Sequence, residues 1–292
     1  MEVLNNHQQY FDLIPNEMII KTFIFIDAAT LLNCRLVCKR WQELIDAYVF
    51  QEKAARENKY VNNGRGYHSF SQIASNDVKK LELPWYVFYV IIKYDPFNRN
   101  LTKNHCGQER WKHWRYHKNL SSALNNEPDV TNLSNIVEVP KNEHILNDPD
   151  FDGHTSCFII DYQYISTLYQ QITFKDYGLN DIIMKILRPK ISFSAWFYKT
   201  YCENNNAYKL HATFHSKTNE VIGKCEHSDE SPQRATEWTK ASILYNTQGD
   251  ESFLNLHHSL MDIKCQNILS GIYVSCSVVK MLLPIKYKNT NS

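Results

Sequence analysis

LIPNEMIIKTFIFIDAATLLNCRLVCKRWQELID, residues 13–46, spaces its apolar residues as helices do. The same character runs from Ile14 to about Ala55. Val37, Trp41, Leu44, Ile45 and Tyr48 fall at i, i+4, i+7, i+8 and i+11, which predicts a helix with one buried stripe. Pro15 suits a first helical position, and Asp27 is placed to cap the helix that follows it. The first helix is apolar on two sides, with Ile19, Phe23 and Ile26 in one stripe and Ile20 and Ile24 in another. A unit of about 40 residues buries too little area to use both, so the surplus marks a protein partner. The alternative is that this helix packs inside the chain's own second domain.

From residue 56 to 84 the character changes: NKYVNNGRGYHSF is rich in Asn and Gly, a polar stretch follows, and Leu83-Pro84 closes the segment. It reads as a linker. Beyond it a period of two takes over. Tyr208, Leu210, Ala212 and Phe214 alternate with Lys209, His211, Thr213 and His215. Ile191, Phe193, Ala195 and Phe197 alternate with Ser192, Ser194, Trp196 and Tyr198, and Ile272, Val274, Cys276 and Val278 with Tyr273, Ser275 and Ser277. Such strands between Asn, Gly and Pro turns predict an antiparallel sandwich. No internal repeat appears, and NEPDVTNLSN near 126–135 reads as a polar loop.

Lys and Arg number 32 against 31 acids, a net charge of +1 over 292 residues, which gives no general attraction to nucleic acid or to anionic lipid. The opening MEVLNNHQQYFDL has no basic segment leading into an apolar one, and runs such as Val87 to Ile92 are too short to span a bilayer, so no membrane insertion is expected. The eight cysteines are scattered and read as reduced core thiols of a cytoplasmic protein. Sequons at Asn100, Asn119 and Asn132 would matter only in the secretory pathway.

The helical segment resembles an F-box, in the order LIPNEMIIKTFIFI and then DAATLLNCRLVCKRWQELID. In that family the opening and the apolar helices dock on a Skp-type adaptor, and through it on cullin and RING subunits. The positions this resemblance assigns to adaptor binding are Ile14, Pro15, Ile20, Leu31, Leu32, Leu36 and Val37, with Trp41 as a packing residue. Ile14 replaces the usual leucine, a volume-conserving change worth less than about 1.5 kcal/mol.

The remainder resembles the F-box-associated domain of the F-box proteins that recognise sugar chains. The landmarks are NLTKNHCG at 100–107, Trp114, IVEVP at 136–140, Cys157-Phe158, FKDYG at 174–178, Trp196 and EWTK around Trp238. That family implies a ligand site built from loops at one end of a sandwich. Its sugar-binding members carry an adjacent Tyr and Trp before the last strand, where this chain reads MDIKCQNILSG. The positions assigned to substrate contact are therefore Phe158, Lys264, Cys265, Gln266 and Asn267, and the missing aromatic pair argues against a sugar clamp of the family's kind.

The fold class expected is α+β multidomain: an F-box at 11–55, a linker at 56–84 and a jelly-roll-like antiparallel β-sandwich at 85–288. The function expected is that of a non-catalytic substrate receptor of an SCF-type cullin-RING ubiquitin ligase, taking a protein or glycoprotein substrate toward degradation, with no cofactor. The competing readings are an intracellular lectin or chaperone acting without ligase assembly, and an enzyme of unrecognised type. Cys34 and Cys38 stand one helical turn apart and read as small core residues; no paired Cys-x-x-Cys motif points to zinc. His105-Cys106 and His257-His258 come without the companions a metal or nucleophile site needs, and neighbours on a strand point to opposite faces. ERWKHWRYHKN, residues 109–119, interleaves basic and aromatic residues but reads as a strand edge rather than a nucleic-acid platform.

Overall fold

Asp27 starts a helix, because its carboxylate accepts the amide protons of Ala29 and Thr30, each at 3.0 Å. The computed structural model describes residues 13–57, 83–97, 99–119, 136–138, 147–161, 165–199, 207–230, 237–261 and 271–282. They divide into two compact units, one running to Phe97 and the other spanning Asn98–Leu282.

The first unit is helical: α1 (Asn16–Phe23), α2 (Ala28–Cys34), α3 (Lys39–Leu44), α4 (Phe50–Arg56) and α5 (Trp85–Tyr94). Pro15 is the N-cap of α1, one position earlier than the sequence suggested. Between α3 and α4 the residues Ile45–Val49 form a π turn. This turn corrects the predicted stripe. One extra residue rotates the following helix, so Leu44, Ile45, Val49 and Phe50 are buried while Tyr48 faces out. Val37 also leaves the stripe, since it lies in the turn before α3 and is 63% exposed. Of the two stripes expected on α1, Ile19, Phe23 and Ile24 form the buried set and Ile20 and Ile26 are half-buried.

The run Trp85–Tyr94, which the sequence reading placed at the start of the sandwich, is a helix of the first unit. Its aromatic residues close that core: Phe50 stacks on Trp85 at 5.7 Å and meets Tyr89 edge-on at 5.9 Å. Arg35 joins three elements, with its guanidinium forked onto Asp46 (2.5 and 2.8 Å) and lying 3.7 Å over the Trp85 ring. No helix among the described residues is long and apolar enough to cross a membrane.

The second unit contains two five-stranded antiparallel sheets. The first has the order β1 (Arg115–Asn119), β4 (Ile165–Thr173), β9 (Phe253–Met261), β6 (Ala207–His215), β7 (Val221–Asp229). The second has the order β2 (Ile136–Glu138), β3 (Ser156–Asp161), β10 (Gly271–Leu282), β5 (Lys190–Lys199), β8 (Thr239–Asn246). A short helix, α6 (Asp181–Leu187), precedes β5. The alternation expected in β5 and β6 is present, and their inward sets meet across the sandwich as Phe193 against Phe214 and Phe197 against Tyr208. ERWKHWRYHKN begins as turns and becomes the edge strand β1.

The strand β10 departs from its expected pattern. Its register against β5 shifts between Ser275 and Val278, and Cys276 has a φ of 51°. The bulge changes which face each side chain takes. Ile272 and Val274 stay with the inter-sheet core, whereas Cys276 and Val278 join a separate buried cluster with Cys106, Phe151, Cys157 and Trp238. Ser275 and Ser277, which alternate with the apolar set in the sequence, are also buried, because β10 is central and both of its faces are covered.

Candidate functional site

The helical unit does expose apolar side chains, but not those of the two α1 stripes in which the surplus was expected, since Ile19, Phe23 and Ile24 are buried and Ile20 and Ile26 half-buried. Leu13 is 75% exposed, Leu36 is 81% exposed, and Ile14, Met18, Phe25 and Val37 are exposed in the same unit. The surface is held by interior contacts. Trp41 packs edge-on against Phe23 at 4.8 Å, Arg40 reaches the Ile14 carbonyl at 2.5 Å and the Asn16 side chain at 2.8 Å, and Lys53 donates to the Ile24 carbonyl at 3.1 Å. Arg40 thereby ties the Ile14-Pro15 opening to α3. Among the positions assigned to adaptor binding, Ile14, Pro15, Leu36 and Val37 are exposed, Ile20 and Leu32 are half-buried, and Leu31 is fully buried. Met18 and Phe25, which that assignment did not include, are exposed apolar residues of the same unit.

In the sandwich, strand register brings the ends of both sheets together. Asn119 lies opposite Ile165, Ala207 opposite Met261 and Tyr208 opposite Asp229 in one sheet, while Gly271 lies opposite Asp161 and Ile272 opposite Lys199 in the other. The strand ends at Asp161, Lys199, Asp229 and Met261 all lie at this end. Here the buried Lys199 pairs with Asp229 at 3.1 Å, linking β5 of one sheet to β7 of the other. Tyr198, Trp238 and Tyr273 form an aromatic group nearby, with centroids 5.9 and 6.0 Å apart. Gly271 lies where β10 begins, and a Cβ there would stand a tight 3.0 Å from the Ile160 carbonyl oxygen. Lys264, Cys265, Gln266 and Asn267 lie outside the described residues.

Phe158 is fully buried, with Trp111 and Trp114 each 5.4 Å from its ring. Gly107 has a φ of 76° and lies against that ring, where a Cβ would come within 3.2 Å. Phe158 therefore supports the 104–114 loop from beneath. Three amide side chains hold this loop in place, and sequence reasoning assigned none of them a role. Asn104 donates to the carbonyls of Arg110 (2.6 Å) and Lys112 (2.9 Å) and accepts from the Glu109 amide (2.8 Å). Gln170 exchanges hydrogen bonds with the Lys103 backbone at 2.8 and 2.9 Å. Asn100, first read as part of a sequon, accepts from the backbone amides of Thr102 and Val279, both at 3.0 Å. The order NLTKNHCG is the one available signal for this wiring, since amides can pair backbone groups where no ladder is available.

His257 and His258 face opposite ways, as neighbours on a strand should. His257 stacks on His211 at 4.5 Å on the outer face. His258 is buried between the sheets, its Nδ1 2.8 Å from the Tyr208 hydroxyl and its Nε2 2.8 Å from the Ser277 hydroxyl. Burial holds His258 down at about 3 and His211 at about 4, so both are neutral near pH 7. Among the described residues no group of three or more His, Cys, Asp or Glu side chains is arranged to hold a metal.

One unit is thus helical with exposed apolar side chains, and the other is a sandwich whose strand ends converge. Residues 92–281 match the F-box associated region, and residues 11–52 match the F-box-like family. The chain belongs to the F-box proteins with an F-box associated region. F-box only protein 6 of Rattus norvegicus is 25% identical over 185 residues, covering 63% of this chain and 55% of that protein. Human F-box only protein 44 is also 25% identical over 185 residues, covering 63% of this chain and 61% of that protein. The matches thus span less than two thirds of those relatives' length. Among solved structures, a family 16 carbohydrate-binding module aligns at 12% identity and a TM-score of 0.36, covering 62% of this chain and 99% of that one.

Proposed function

We propose that this chain is a cytoplasmic, non-catalytic substrate receptor of an SCF-type cullin-RING ubiquitin ligase. The helical unit holds a Skp-type adaptor and, through it, cullin and RING subunits; the converging end of the sandwich holds the substrate. The observation that carries this reading is the set of exposed apolar residues Leu13, Ile14, Met18, Leu36 and Val37 on a unit that matches the F-box-like family. Large apolar side chains left in water beside a complete core find their burial in a partner.

The receptor acts by tethering. Holding a substrate beside the ubiquitin-loaded enzyme replaces a bimolecular encounter with an effective concentration, and no bond is made on this chain. The substrate is a protein destined for degradation, and the family resemblance points to glycoproteins. The 262–270 connection, with Cys265, Gln266 and Asn267 in place of an aromatic pair, sets the preference.

The test is co-purification of the full chain with adaptor and cullin, comparing wild type with a double change of Leu36 and Val37 to Asp. Both residues are exposed, so the variant keeps its core. Wild type is expected to capture both subunits and the variant neither. Failure of wild type to retain adaptor would overturn the proposal. A glycan panel on the same protein then reports cargo class, and strong binding to mannose-type cores would assign glycoprotein substrates.

A further inference from the structure

His105-Cys106 is the sequence feature that neither adaptor nor substrate binding absorbs. The segment leading to it runs along β10 where β3 no longer pairs: the Leu101 amide donates to the Val279 carbonyl at 2.8 Å, and the Ser277 amide to the His105 carbonyl at 2.9 Å. The residue after His105 and the residue before Ser277 are both cysteines. The Ser277–His105 bond therefore brings Cys106 and Cys276 next to each other, and both are buried in one cluster. Cys276 takes the left-handed conformation at the bulge, where a β-strand residue other than Gly is uncommon. The turn Pro149–Phe151 covers the cluster and is strapped down by charge: Lys240 contacts Asp148 at 2.6 Å and Asp150 at 3.3 Å, Lys280 contacts Asp150 at 2.5 Å, and the Trp196 indole donates to Asp148 at 2.9 Å.

We propose that Cys106 and Cys276 are a reversible redox pair, closed to a disulfide by peroxide and reopened by thiols. Cys106 is the attacking sulfur. Interaction with Cys276 and with the neighbouring His105 holds the Cys106 thiol below its ordinary range, while Cys276 is pushed up. The Cys106 thiolate gives two electrons to hydrogen peroxide, the O–O bond breaks, and with one proton taken up the products are a sulfenic acid and water. Cys276 sulfur then attacks the sulfenic sulfur, the S–O bond breaks, and the Cys276 proton leaves with hydroxide as a second water. Two thiols and one peroxide give one disulfide and two waters. Reduction by a dithiol reverses it through a mixed disulfide. In a reducing compartment such a bond is transient and regulatory. It locks the 104–114 loop, which packs over Phe158, to the central strand of the second sheet.

The experiment uses the full chain, exposed to hydrogen peroxide, blocked with N-ethylmaleimide and digested without reduction. Trypsin leaves Cys106 in the peptide 104–110 but leaves Cys276 with Cys265 in 265–280, so chymotryptic cleavage after Tyr273 is added to separate them. The expected product is Cys106 linked to Cys276, lost on dithiothreitol treatment and formed while Cys157 still takes the maleimide. The more accessible Cys38 reports that oxidant was present. In the Cys276→Ser variant, Cys106 is expected to stop at the sulfenic acid and to be captured by dimedone. Cys106 left alkylatable while Cys38 is oxidised, linkage of Cys106 to Cys157, or no dimedone adduct in the variant would each overturn the proposal.

Discussion

His258 is a histidine that must stay neutral for the sandwich to close. Its two nitrogens face the Tyr208 and Ser277 hydroxyls, and protonating the second nitrogen would bury a charge between two neutral groups. Its pKa in the folded chain, about 3, lies below the ordinary value of 6.5. The unfolded chain therefore binds a proton below about pH 6.5 that the folded chain refuses until about pH 3. The stability it contributes is complete above 6.5 and is lost as pH falls through that window, by up to about 1.4 kcal/mol per pH unit. His211, held near 4 chiefly by burial, has the same sign. Chemical denaturation of wild type at pH 7 and pH 5 is expected to show this loss. His258→Gln, which can bridge the same hydroxyls without titrating, is expected to start lower at pH 7 and decline less. Equal slopes in both proteins would show that His258 is not the titrating group.

At the scale of elements, periodicity was readable wherever nothing interrupts it. The strands β5 and β6 alternate because each has one face on the inter-sheet core and one outside it, and α2 starts at Asp27 because a carboxylate there meets two free amides. Interruptions were not readable. The π turn at Ile45–Val49 and the bulge at Ser275–Val278 each insert one residue, and a single added residue carries no composition signature yet rotates everything after it. Trp85–Tyr94 is apolar all round, so its period gave no basis for choosing helix over strand. The loop wired by Asn100, Asn104 and Gln170 was legible only in part: Asn104 reaches 5 to 8 residues along the chain, but the Gln170–Lys103 and Asn100–Val279 contacts span 67 and 179 residues and leave no local pattern. The corrected helix phase makes a sharp contrast between two residues. Phe50→Ala empties a fully buried site and is expected to cost about 3–5 kcal/mol, while Val37→Ala on the exposed turn is expected to stay within about 0.5 kcal/mol. Urea titration separates the two, and a large loss at Val37 would restore the simple stripe.

At the scale of the whole molecule, the two units carry separate cores. Phe50, Trp85 and Tyr89 close one, while Phe193, Phe197, Tyr208 and Phe214 close the other. The receptor proposed above would gain from this division, because a change that retunes the core of one unit leaves the core of the other undisturbed. Separate cores also imply separate melting, since cooperativity extends only as far as the contacts that share a core. Calorimetry of the full chain is expected to resolve two transitions. Phe50→Ala is expected to lower only the one belonging to the helices, by roughly 10 °C or more, because a small domain shifts about 4–8 °C per kcal/mol. His258→Gln is expected to lower only the other, by roughly 2–4 °C per kcal/mol for a domain of its size. A single transition lowered by either substitution would mean that the chain folds as one cooperative body, and the docking face could then respond to events at the substrate end.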